Sequence, residues 1–147
     1  MPVIIDLSGP IYTALVGTSD ELDGLAMYEG ALAVFTYRPI PDDCSYPLII
    51  AAGDVTHGDQ DFIDAPLGVI VRDIAVYGKK RGKDPEPYRT VERIALNVRD
   101  LFHRKRGSLI IPGWNVVDIR CTGPIVAPVD DDHTIGRLVT MTVRLSQ

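Results

Sequence analysis

Carboxylates, imidazoles and thiols are the groups of this chain that could do chemistry. His57-Gly58-Asp59-Gln60-Asp61 alternates ligand types, and Asp130-Asp131-Asp132-His133 adds three carboxylates and an imidazole. Oxygens gathered in this way suit a hard cation. Neither run has the spacing of a calcium loop or a zinc site, so both read first as solvated acidic segments. Cys44 follows Asp42 and Asp43. No basic neighbour or helix start is there to favour its thiolate, which makes it an inert, partly buried thiol rather than a nucleophile.

Two basic clusters, Lys79-Lys80-Arg81 with Lys83 and Arg104-Lys105-Arg106, stand at opposite ends of one expected helix. They could touch phosphates. No aromatic residue is interleaved in either cluster, so stacking on single-stranded bases is not expected. An acidic protein surface is the better partner, and the Arg104 cluster also suits a helix C-terminus electrostatically. Arg72 and Asp73 interrupt an otherwise apolar run, which implies a face or edge that meets water or a partner.

The elements that must position these groups follow from periodicity. Ser8-Gly9-Pro10 reads as a helix start with Ser8 as cap, Ile11 and Leu15 one turn apart, and Gly17 as the stop. Thr18-Ser19-Asp20-Glu21 reads as a capping box opening a second short helix. Strands are expected at 32–37 and 48–55, with an exposed loop or hairpin tip at 54–66, where Gly58 and four aspartates lie. The strongest strand runs from Leu67 to Tyr77. Asp84-Pro85 opens the main helix, on which Val91, Ile94, Ala95, Val98, Leu101 and Phe102 make one apolar stripe. Two further strands, 114–128 and 135–145, close the chain around an acidic turn at 129–133. The order is that of an α+β fold: a mostly antiparallel sheet packed against one long amphipathic helix, with short N-terminal helices.

At 147 residues the chain predicts a single domain, 1–147, large enough to bury a core without disulfide or metal staples. Hydrophobic residues make up 46%, which excludes wholesale disorder. The net charge of −5 disfavours a dedicated nucleic-acid binder. That charge is unevenly spread: residues 79–106 carry +6 and the remainder −11. Such asymmetry favours oriented association. Cys44 and Cys121, 77 positions apart, form no Cys-x-x-Cys pair and point to a reducing compartment. The N-terminus has no basic region and only a three-residue apolar run, so neither a signal peptide nor a membrane span is expected and synthesis in the cytoplasm is.

The stretch from Ile40 to Ala51 (Ile-Pro-Asp-Asp-Cys-Ser-Tyr-Pro-Leu-Ile-Ile-Ala) is a stiff polar turn feeding an apolar strand. With the helix at Ile11–Val16, the Tyr46-Pro47 step into Leu48-Ile49-Ile50, the strand 67–77, the helix 91–101 and two closing strands, the chain resembles the tail-completion or tail-terminator proteins of long-tailed bacteriophages and gene-transfer particles. The resemblance spans nearly the whole chain. It implies a structural, non-enzymatic virion protein: a ring, commonly of six copies, that caps the head-proximal end of the tail tube, stops its polymerisation and meets the head's connector. The implied partners are further copies of the chain, the tail tube protein, a head-completion or stopper protein, and DNA that passes through the lumen without specific binding. No cofactor and no membrane are implied. The residues expected at subunit or partner interfaces are Asp59, Asp61, Arg72, Lys79, Lys80, Arg81, Lys83, Asp130, Asp131 and Asp132. Another neck component is the nearest alternative. From other classes, the alternatives are a small cytoplasmic enzyme using a cation held by the acidic loops, and a nucleic-acid-binding module using Lys79–Lys83.

Overall fold

The computed structural model describes residues 7–146 apart from 19, 21, 53, 63, 64 and 130, with 54–62 and 65–67 described as backbone. Its elements are α1 (Ser8–Val16), β1 (Met27–Tyr28), β2 (Ala31–Leu32), β3 (Val34–Phe35), β4 (Leu48–Ile50), β5 (Asp54–Phe62), β6 (Ala65–Lys79), α2 (Glu86–Phe102), a single 3-10 turn at Arg106–Ser108, β7 (Asn115–Val126) and β8 (Thr134–Ser146). The fold is α+β, with helices on one face of a mixed, mainly antiparallel sheet.

β6 is the spine. β8 pairs along one edge of it from Leu67↔Ser146 to Lys79↔Thr134, and β7 follows on the far side of β8. The other edge of β6 is shared: β4 takes Ala75–Tyr77 and β5 takes the half from Ala65 to Arg72. β3 lies outermost beside β4, and this pair is parallel. Parallel neighbours need a crossover, and the proline-rich segment 36–47 supplies it.

The segment 54–66, expected as an exposed loop or hairpin tip, is for the most part ladder: β5 and the start of β6 make an antiparallel hairpin. Glycine and aspartates weaken local strand preference, but ladder bonds to β6 decide the outcome. The segment 18–24 is a second correction. Its described residues form turns, and the Thr18 hydroxyl donates to the Ala14 and Leu15 carbonyls, both at 3.2 Å. Thr18 therefore closes the first helix instead of opening another. Ser8 is the first helical residue rather than the cap, a position held by Leu7.

Period-3.6 and period-2 patterns meet in one core. Val91, Ile94, Ala95, Val98 and Phe102 of α2 are fully buried, as are Ile70, Ile74 and Val76 of β6 and Val139, Met141, Val143 and Leu145 of β8. Burying each large aliphatic is worth about 2 kcal/mol, so this face holds the fold together. Asp84 accepts the Glu86 N–H at 3.0 Å, which fixes the start of α2. A smaller cluster of Ala33, Phe35, Leu48 and Ile50 lies on the opposite sheet face under Tyr28, Tyr46 and Tyr77.

Candidate assembly surfaces

The end of the sheet where β6 stops and β8 begins joins two segments that look independent in the sequence. Lys79 and Thr134 are paired residues of the ladder. The Lys79 ammonium donates to the Thr134 hydroxyl at 2.9 Å, lies 3.7 Å from the Asp131 carboxylate and sits 4.8 Å from the Tyr46 ring centre. Asp131 in turn accepts the His133 N–H at 2.7 Å and the Thr134 hydroxyl at 2.9 Å. The Thr134 bond first, then that of His133 and the charge of Lys79, hold the Asp131 carboxyl below the usual carboxylate range. The Lys80 N–H donates to the His133 carbonyl at 2.8 Å. The basic and acidic clusters thus satisfy one another at this corner.

Arg81 lies 3.4 Å from Asp84 in an open surface pair, a geometry of small energetic weight. Lys83 and Asp132 are exposed. Asp130 lies outside the described residues. Asp59 and Asp61 stand on β5, in register with Gly68 and Pro66 of β6.

Arg72 requires a correction. It is only 2% exposed, and its guanidinium donates to the Ser8 hydroxyl at 2.9 Å and to the Ala51 carbonyl. It lies where β5 first pairs with β6, opposite Asp54, just before β4 takes over the edge at Ala75. Alternation sends Asp73 to the other face, where it accepts the Thr140 hydroxyl at 2.8 Å.

Among the described residues no helix covers that other face. A wide concavity of about 1040 Å³ opens on it, floored by Leu48, Ile50, Ala75 and Leu138 and rimmed by Arg38 and Asp42. Ile125 and Val126 are 59% and 73% exposed towards the end of β7. Burial pushes the Cys44 thiol up and raises that of Cys121 to about 11, the reverse of an activated nucleophile. Among the described residues no group of three or more His, Cys, Asp or Glu is placed to hold a metal ion, and no helix is long and apolar enough to cross a membrane.

The sheet has edges at β3, β5 and β7. β7 is covered in its middle: the Arg104 N–H donates to the Ile119 carbonyl at 2.8 Å, and His103 Nδ1 accepts the Cys121 N–H at 3.0 Å. Sequence reasoning missed His103 and read Arg104 only as part of a basic cluster at the helix end. The only signal is that they follow directly on the last apolar residue of α2.

This chain has the fold of a virion chain. A chain in a solved structure of the virion of a native gene transfer agent (GTA) particle superposes with a TM-score of 0.71, over 96% of this chain and 95% of that one. The two sequences are 15% identical, so what they share is the fold. No family model and no curated protein matches the chain.

Proposed function

We propose that this chain is a structural subunit of a phage-like particle, and specifically the tail terminator that closes the head-proximal end of the tail tube. The observation that carries the reading is the end-to-end likeness to a gene transfer agent virion chain, which leaves almost nothing of either chain unmatched. The surfaces are compatible with assembly rather than turnover: one sheet face is uncovered, its floor is apolar, and the thiols are passive.

In this reading copies of the chain join head to tail into a closed ring, commonly of six, and closure by rotation removes the unsatisfied surface of each. The ring meets the tube protein on one axial side and a head-completion protein on the other. The carboxylates of β5, Asp59 and Asp61 among them, belong to an axial face or to the lumen, where they would repel passing DNA. The exposed side chains of Lys80, Arg81, Lys83 and Asp132 are charged contacts open to partners.

Native mass spectrometry across a concentration series, followed by electron microscopy of the chain mixed with its tube protein, tests the reading. A closed ring, alone or on tube ends whose growth it stops, is the expected result. A chain that neither self-assembles nor touches tube ends, yet binds the head's connector, would make it a stopper or adaptor instead. A melting temperature that falls in chelator would point to the cation-dependent alternative.

A further inference from the structure

The two faces of the sheet are finished differently. On one, α2 packs across β6 and β8, and Arg137 of β8 fixes it by donating to Glu92 at 2.6 Å. The outer side of that helix carries a shallow groove lined by Tyr88, Arg89, Arg93 and Leu96. Tyr88 and Leu96 are each 41% exposed and stand eight residues apart, about 12 Å along the axis. Tyrosine and arginine are the side chains that most often carry the energy of a protein contact.

The opposite face offers a counterpart. The concavity of about 1040 Å³ has an apolar floor between two walls, one from the crossover at 38–46 and one from the turn at 128–134. Its charge is the inverse of the groove's. Three arginines and two carboxylates line the helix groove, whereas three carboxylates and two cations line the concavity. Exposed Asp43 and Asp132 extend the acidic walls beside Asp42 and Asp131. The same sign difference holds for the chain at large, in which residues 79–106 carry +6 and the remainder −11. Both halves of the match belong to one chain, which makes a second copy the occupant.

The groove and the concavity lie on opposite sides of the sheet, so a contact between them is not mutual. A copy that gives its helix to one neighbour receives the helix of another on its far side. Contacts of this kind propagate, and they close into a ring where the rotation allows.

We infer that the outer face of α2, anchored by Tyr88 and Leu96, seats in the open-face concavity of a second copy. The inference rests on the ring reading above for closure of the assembly, and on the two surfaces for the contact itself.

Sedimentation velocity and native mass spectrometry of the full chain across a concentration series test the contact. Leu96→Asp spoils the helix face at an exposed position, and Ala52→Trp fills the concavity from a half-buried one. Each should raise the concentration needed for association by about tenfold or more, the effect of losing one central contact. An equimolar mixture of the two variants should give a dimer and nothing larger, since one intact helix face meets one intact concavity. Tyr88→Asp and Asp42→Arg, both at exposed positions, replace either variant that fails to fold. An unaltered chain that stays monomeric at every concentration overturns the self-contact and leaves the concavity to another protein. Variants that associate like the unaltered chain, or a mixture that stays monomeric or grows past a dimer, overturn it as well. Rings that survive both variants and still cap tubes would strike this contact and leave the terminator reading standing. Copies that join in this manner while tube ends go on growing would do the reverse.

Discussion

Gly78 of β6 lies directly beneath Val91 of α2: a Cβ built on Gly78 would stand 2.5 Å from Val91 Cγ2. The helix rests on the sheet at this point because one strand residue has no side chain. Gly78→Ala should destabilise the fold by about 1–3 kcal/mol through overpacking, seen as a lower urea midpoint. Val91→Ala on top of Gly78→Ala should recover part of that loss, since the added methyl would then have room. Additive losses would mean that the contact is not what fixes the helix height.

The Arg72 guanidinium bonds two segments distant in sequence, α1 through Ser8 and the chain after β4 through Ala51. Arg72→Met keeps most of the volume but takes the guanidinium away from the buried Ala51 carbonyl and the half-buried Ser8 hydroxyl. A loss of about 2–4 kcal/mol is expected. Ser8→Ala should cost about 1 kcal/mol alone and much less in the Arg72→Met background. Chemical denaturation of the four chains gives the coupling directly.

Thiol chemistry separates the two cysteines. At pH 8, Cys44 should react slowly with a thiol reagent and Cys121 only on unfolding, because burial holds the Cys121 thiol near a pKa of about 11. A folded pKa raised above the unfolded value means that the stabilising preference is complete below about 9 and is lost as pH climbs towards 11. Alkaline unfolding should therefore begin earlier in the native chain than in Cys121→Ala, relative to each protein's own stability at pH 7. Rapid labelling of Cys121 at pH 8 would contradict its burial, only 3% exposed, on β7 opposite Met141 of β8.

At the acid end the corner residue Asp131 acts in the opposite sense. Its carboxyl is held below the ordinary value by Thr134, His133 and Lys79. A depressed pKa contributes stability above the unfolded value that fades as pH drops through the folded one. Asp131→Asn should flatten the acid limb of a melting-temperature profile below about pH 4 and leave the alkaline limb alone. An unchanged acid limb would show that the turn at 131–134 is held by its backbone alone.

Much of the architecture could be read from residue order, and the reasons are local. The stripe from Val91 to Phe102 and the alternation from Leu138 to Leu145 repeat often enough to fix element type and buried face. β5 could not be read, since Asp54, Gly58, Asp59 and Asp61 look like loop and only pairing with β6 makes them strand. Thr18 misled because a hydroxyl at a helix end can satisfy the carbonyls behind it as well as amides ahead. The meeting of Lys79 with Asp131 depends on register across two strands, which no local pattern encodes. His103 carries no periodic signal, and its role comes from where the chain turns after Phe102.

The ladder between β6 and β8 joins thirteen pairs of residues, from Leu67↔Ser146 to Lys79↔Thr134, and encloses α2 and β7. The exposed basic link at 80–83 lies just outside β6, at the start of the enclosed stretch. Cutting the backbone in that link would separate two fragments on paper only. Each would retain one whole strand of the central ladder, so the halves would remain zipped together, and new chain ends or a tethered passenger can be introduced at this corner without dividing the sheet.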